Sequence, residues 1–106
     1  MMGRTDRHCR YFLRGFSARM LLYTEMIAAA DVVHGDWAPL LEFDPEEHPV
    51  ALQIGGCEPR ELAAAARLGE AAGYDEINLN CGCPSDKATG GVFGAYLMQQ
   101  PETVAD

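Results

Sequence analysis

Asp75-Glu76-Ile77-Asn78-Leu79-Asn80-Cys81-Gly82-Cys83-Pro84-Ser85-Asp86 is the stretch on which the fold turns. Ile77, Leu79 and Cys81 alternate with Asn78 and Asn80, so a strand of period two sends three apolar groups to one face and two amides to the other. The alternation then breaks at Gly82-Cys83-Pro84, which reads as a turn. A buried amide without a partner costs about 1–3 kcal/mol. Two amides facing one way at a strand's end therefore point to a polar ligand, beside a thiol carried on a rigid turn.

Working back from this stretch, Glu58-Pro59-Arg60-Glu61 opens a helix, with Pro59 suited to the first helical position and Glu61 to a capping box. That helix runs through Leu62, Ala65, Ala66, Leu68 and Ala72 to Gly73, which suits a left-handed C-terminal residue. Before it, Val50-Ala51-Leu52-Gln53-Ile54 is a strand: Val50, Leu52 and Ile54 share one face, Ala51 and Gln53 the other. Asp36 to His48 reads as an acidic loop. Ile27 to His34 reads as a helix ending at Gly35, with His34 in position to meet the helix dipole. Met20 to Met26 is apolar enough for a strand covered on both faces. At the start, Thr5 is the expected N-cap of a helix of about three turns, with Asp6 in its first turn. Cys9, Tyr11, Phe12 and Phe16 form its apolar side, and the arginines take the solvated positions. Beyond the organising stretch, 87–91 is a loop, 93–98 a helical turn, and Pro101 begins a further helix.

The chain has 106 residues, is 48% hydrophobic and 23% charged, and carries a net charge of -8. That acidity argues against nucleic-acid binding by this segment alone, because phosphate contacts need clustered Lys and Arg. Of the eight basic residues, five (Arg4, Arg7, Arg10, Arg14, Arg19) fall in the first fifth of the chain. There is no long apolar run and no signal-peptide pattern, so a soluble cytoplasmic protein with no membrane partner is expected. The four cysteines, at 9, 57, 81 and 83, do not form the dense framework of a secreted miniprotein.

Strands alternating with helices imply α/β architecture with a parallel sheet. A doubly wound sheet would often carry a phosphate loop, and neither G-x-G-x-x-G nor G-x-x-x-x-G-K-[ST] is present. A (β/α)8 barrel instead predicts polar residues at the C-terminal ends of successive strands, which Thr24 or Glu25, Gln53 and Asn80 satisfy. Each also has a plain reading as a polar residue satisfied in an internal layer. Since a whole barrel needs about 250 residues, the expectation is a partial TIM barrel: its N-terminal three to four βα units, lacking most of strand one and everything past the loop after strand four. Such a piece exposes strand edges, so instability or self-association in isolation is expected.

Four blocks of the sequence carry a family resemblance: Thr5-Asp6-Arg7-His8-Cys9-Arg10-Tyr11-Phe12, Leu22-Tyr23-Thr24-Glu25-Met26, Glu47-His48-Pro49-Val50-Ala51-Leu52-Gln53, and Gly73-Tyr74-Asp75-Glu76-Ile77-Asn78-Leu79-Asn80 with Gly82-Cys83-Pro84-Ser85-Asp86. Together they resemble the tRNA-dihydrouridine synthases, most closely the A-type subfamily that acts on the D loop. The resemblance implies an FMN-binding TIM barrel followed by a helical domain. It implies that NADPH reduces the flavin, that hydride passes to C6 of a uridine, and that tRNA is the partner of a full-length monomer. It assigns Cys83 as the general acid that protonates C5, Gln53 as a flavin contact, Asn80 as a contact to the uridine and flavin, and Met1 and Met2 as part of the flavin motif of strand one. No metal is implied. Gly3-Arg4 replaces the family's aspartate-tryptophan, Cys81 an aliphatic residue, and 87–92 departs from the family's loop.

These residue types suit that chemistry. A thiol with a reference pKa near 8.5 is mostly protonated at neutral pH yet able to donate, and carboxamides offer donor and acceptor together to a flavin or uracil edge. Three other readings stay open. One is a flavin barrel reducing a free pyrimidine. Another is a metal module built on Cys57, Cys81, Cys83 and His48, against which the Cys-x-Cys spacing stands. The third is a folded but inactive truncated chain.

Overall fold

A computed structural model of the chain describes residues 3–84 and 93–105. Met1 and Met2, Ser85 and Asp86 of the turn, and the 87–92 loop lie outside the described residues, as does Asp106. The elements follow the expected alternation. Helix α1 (Arg7–Arg14) precedes strand β1 (Leu22–Ala28), helices α2 (Ala29–His34) and α3 (Trp37–Leu40), and a 3-10 turn at Pro45–Glu47. Strand β2 (Val50–Gly55), helix α4 (Pro59–Ala72) and strand β3 (Glu76–Leu79) come next. A 3-10 turn at Gly94–Gln99 and helix α5 (Pro101–Ala105) close the described chain.

The three strands form one sheet in the order β1-β2-β3, and both pairings are parallel. Register pairs Leu22 with Val50, Leu52 with Ile77 and Ile54 with Leu79, so these residues share a face. Against it pack Ala29 and Val32 of α2 and Ala65 of α4, all buried. Each fully buried Val, Leu or Ile here contributes about 1.5–3 kcal/mol relative to exposure. The closeness of α4 depends on Gly69, where an added Cβ would stand 2.6 Å from Leu52 Cδ2 and 2.7 Å from Ile77 Cδ1. At the helix end Gly73 takes φ 97°, the left-handed cap expected of it. The opposite face of the sheet carries Tyr23, Ala51, Glu76, Gln53 and Asn78. Parallel strands joined through helices that cover one face are the construction of a TIM-barrel segment, as the alternation predicts.

Four expectations are corrected. First, α1 is capped by Asp6, whose side chain accepts from the Cys9 backbone nitrogen at 2.8 Å, and it is eight residues long rather than three turns. Second, its faces are inverted. Arg10 is buried and ion-paired with the fully buried Glu47, while Tyr11, Phe12 and Phe16 are exposed. Arg14 reaches the carbonyls of Ser17, Met20, Glu47 and Pro49 at 2.6–2.9 Å, and Arg7 meets Glu42 and Asp44. Guanidinium groups carry five donors, and these arginines use them to tie the chain between β1 and β2 to the helix. Third, 36–48 is not a plain loop: α3 and the Pro45–Glu47 turn lie within it, anchored by buried Leu41 and Glu47. Fourth, Glu61 closes no capping box, since α4 has no side-chain cap; its carboxylate lies 3.0 Å from His34 Nε2 instead.

Candidate functional site: an amide row and a thiol turn

An irregularity in β1 helps build the site. Between Tyr23 and Met26 the register with β2 shifts, with Tyr23 opposite Ala51 and Met26 opposite Gln53, so β1 carries one residue more than its partner. Such a bulge re-aims the residues after it: Met26, itself buried, joins Gln53 and Asn78 on the face away from α2 and α4. Thr24, buried within the bulge, takes over part of the ladder. Its Oγ1 accepts from the Gln53 backbone nitrogen at 2.9 Å and donates to Glu25 O at 2.8 Å. Thr24 thus follows the plain reading, satisfied inside the sheet. Glu25 takes up the backbone nitrogen of Gly3.

Register then sets Gln53 directly beside Asn78. Gln53 Nε2 donates to Asn78 Oδ1 at 3.1 Å, and Asn80 Nδ2 donates to Gln53 Oε1 at 3.0 Å. Asn80 follows β3, its own backbone nitrogen still donating to Ile54 O at 2.9 Å. Its Oδ1 accepts from the backbone nitrogens of Gly82 at 3.0 Å and Cys83 at 2.9 Å. The turn is fastened once more where Ala95 N donates to Cys83 O at 2.9 Å. Gln53, Asn80 and Cys83 therefore belong to one hydrogen-bonded group at the C-terminal ends of β2 and β3. Cys83 itself is half-buried.

Gly55 keeps an apolar wall beside this group. A Cβ there would meet Met26 Sδ at 3.0 Å and the Phe93 ring at 3.0 and 3.1 Å. Carboxamides next to a thioether and a phenyl ring suit a planar heterocycle whose edge alternates carbonyl and N–H groups and whose face is apolar.

At the opposite end of the sheet the chemistry is structural. Asp75 Oδ2 lies 2.6 Å from His48 Nδ1 and accepts from Val50 N at 2.7 Å, and these bonds, the histidine's foremost, hold the carboxyl below its ordinary value. Burial pushes the Tyr74 phenol up to about 12 while its hydroxyl donates to Leu41 O at 3.3 Å. A cavity of about 350 Å³ at the outer edge of β1 is lined by Arg7, Arg10, Glu25, Asp31 and Glu42 among others, and contains none of the amides. Among the described residues no three His, Cys, Asp or Glu side chains gather as a metal site, so Cys57, Cys81, Cys83 and His48 do not form one. Among them, too, no helix is long and apolar enough to cross a membrane.

Sequence reasoning placed Gln53, Asn80 and Cys83 but gave Asn78 no role of its own. The signal available was parity, since Asn78 shares the Asn80 face of the strand. Comparison with known proteins adds a family. The model described as dihydrouridine synthase (Dus) matches residues 1–106. The chain is 61% identical over 105 residues to a tRNA-dihydrouridine(20/20a) synthase of Synechocystis sp., covering 99% of this chain and 31% of that protein. It is 58% identical over 106 residues to proteins of the same name from Pseudomonas aeruginosa and Xanthomonas campestris pv. campestris, covering 100% of this chain and 32% of each. The chain thus spans 31% or 32% of the length of these relatives.

Proposed function

Because the chain belongs to the dihydrouridine synthase family, we propose that the protein carrying it reduces uridine to 5,6-dihydrouridine in the D loop of tRNA. In this reading 1–106 is the N-terminal portion of an FMN-binding barrel domain, and the protein works as a cytoplasmic monomer. Bound FMN, reduced by NADPH, supplies the hydride to C6 of the uridine. The chain's own residues hold the ring and deliver the proton. Gln53 and Asn80 bind carbonyl and imide edges with their amides, and Met1 and Met2 add a flavin contact. Met26 and Phe93 supply an apolar wall that helps exclude water. Cys83 gives its thiol proton to C5 and is left as the thiolate. The uracil ring gains one hydride and one proton, and the C5–C6 double bond becomes single.

The observation that carries this reading is the hydrogen-bonded group in which Asn80 joins Gln53 to the Cys83 backbone. It brings together an edge-reading pair of amides and a proton donor, the two things pyrimidine reduction requires from a protein. The uridine leaves its stack to reach them, which costs a few kcal/mol at most in a loop. The acidic segment leaves most phosphate contacts to other parts of the protein, since Arg7, Arg10 and Arg14 are already engaged inside the fold. By itself the 106-residue chain is proposed to be inactive.

A full-length synthase carrying this segment tests the reading, made by replacing the matching residues of the Pseudomonas aeruginosa relative. Incubated with NADPH and unmodified tRNA, it is expected to form dihydrouridine in tRNA. Turnover of free uracil with none on tRNA would instead favour reduction of a small pyrimidine.

A further inference from the structure

We propose that Asn78 is a positioning residue that clamps the Gln53 side chain from the side opposite Asn80, so that Gln53 meets its ligand with a fixed amide orientation. The proposal rests on the reading of Gln53 as a flavin contact. Its geometry is independent of that reading.

The order of donors and acceptors follows from one fixed point. Backbone N–H groups only donate, so the Asn80 atom that meets both Gly82 N and Cys83 N must be its oxygen. Asn80 therefore turns its nitrogen to Gln53, which must answer with oxygen, at 3.0 Å. Gln53 in turn faces Asn78 with its nitrogen, and Asn78 must accept, at 3.1 Å. Every link runs one way, from the Cys83 turn to Asn78. Gln53 is gripped at both ends of its amide, and among the described residues its second Nε2 hydrogen meets no partner, so it can serve a ligand acceptor. The backbone beneath it is held as well, by Thr24 Oγ1. Asparagine is depleted in strands, and Asn78 sits inside β3 on the face away from α2 and α4. Its contribution to Gln53 is an acceptor oxygen, which an aspartate at the same position would also provide and a leucine would not.

The test uses Asn78→Leu and Asn78→Asp in the same full-length chimera. The dissociation constant of FMN, read from fluorescence quenching, is expected to rise about tenfold in N78L, the worth of one ordinary hydrogen bond. In N78D it is expected to return close to the parent. In a Gln53→Ala background N78L is expected to add nothing, because the clamp has lost its object. The Gln53 side-chain amide protons give a second readout that needs no cofactor. The Nε2 proton bonded to Asn78 should exchange slowly in the parent and N78D, and about tenfold faster in N78L, the same lost bond seen without ligand. Should N78L fail to fold, Asn78→Ala enters the same comparison. Parent-like exchange in N78L or Asn78→Ala, or N78D as impaired as N78L, overturns the clamp. So does an effect of N78L that adds in full to Gln53→Ala. A parent chimera that binds no FMN would count against the cofactor reading instead, and the amide exchange would still decide the clamp.

Discussion

Asn80 holds Cys83 by the backbone: its side-chain oxygen lies 2.9 Å from the Cys83 nitrogen, while its side-chain nitrogen donates to Gln53 at 3.0 Å. One carboxamide thus joins the backbone of the thiol turn to the side chain of Gln53. Replacing Asn80 with Ala in a full-length synthase removes both contacts. Misplacement of a reacting group by about 1 Å can cost about a hundredfold, and a loss of that size is expected in single-turnover dihydrouridine formation. Reduction of the flavin by NADPH should change far less. Asn80→Asp keeps an acceptor for the turn but no donor for Gln53, so it should protect the Gly82 and Cys83 amides from exchange without restoring full flavin binding.

The Arg10–Glu47 pair joins α1 to the turn before β2, and both side chains are buried. Removing one partner strands the other charge, so Glu47→Ala should destabilise by about 3–5 kcal/mol. Replacing Arg10 with Met and Glu47 with Leu together should recover most of that loss. Urea unfolding of the parent and both variants checks the two expectations.

Tyr74 gives an alkaline signature. Its folded-state pKa stands at about 12 against an ordinary 10.0, so the folded protein keeps the phenol proton where the unfolded chain gives it up. The stabilisation is complete below pH 10 and is lost as pH rises toward 12. Tyr74→Phe should flatten the stability profile across that window, measured by denaturant midpoint against pH.

Asp75 gives the acid counterpart. Held below its ordinary 3.8 by His48 first and the Val50 amide second, it favours the folded state when ionised. That contribution is present above the ordinary value and disappears as pH falls through the lower folded one. Asp75→Asn should make the acid limb of the stability profile shallower below about pH 4.

Much of the sheet was legible in the residues, because a strand's parity is a local property. Val50, Leu52 and Ile54 face the helices, Gln53 and Asn78 the other side, and Gly73 ends α4, all as the alternation and the glycine predict. The bulge at Thr24 was not legible. A near-continuous apolar run looks the same with or without one extra residue, and only pairing with β2 shows the shift. The inversion of α1 was hidden for a related reason. Helical spacing marks two faces, but which one turns inward depends on partners 37 residues away in Glu47 and Asp44. At the site, residue type pointed to Gln53, Asn80 and Cys83. The order of donors among the amides appears only once Asn80 Oδ1 is seen on two backbone nitrogens.

The most direct measurement replaces Cys83 with Ala in the full-length chimera and tracks the two half-reactions separately. NADPH oxidation and flavin content should match the parent, while dihydrouridine formation in tRNA falls to background. A Cys83→Ala enzyme that still forms dihydrouridine at the parental rate would contradict the account.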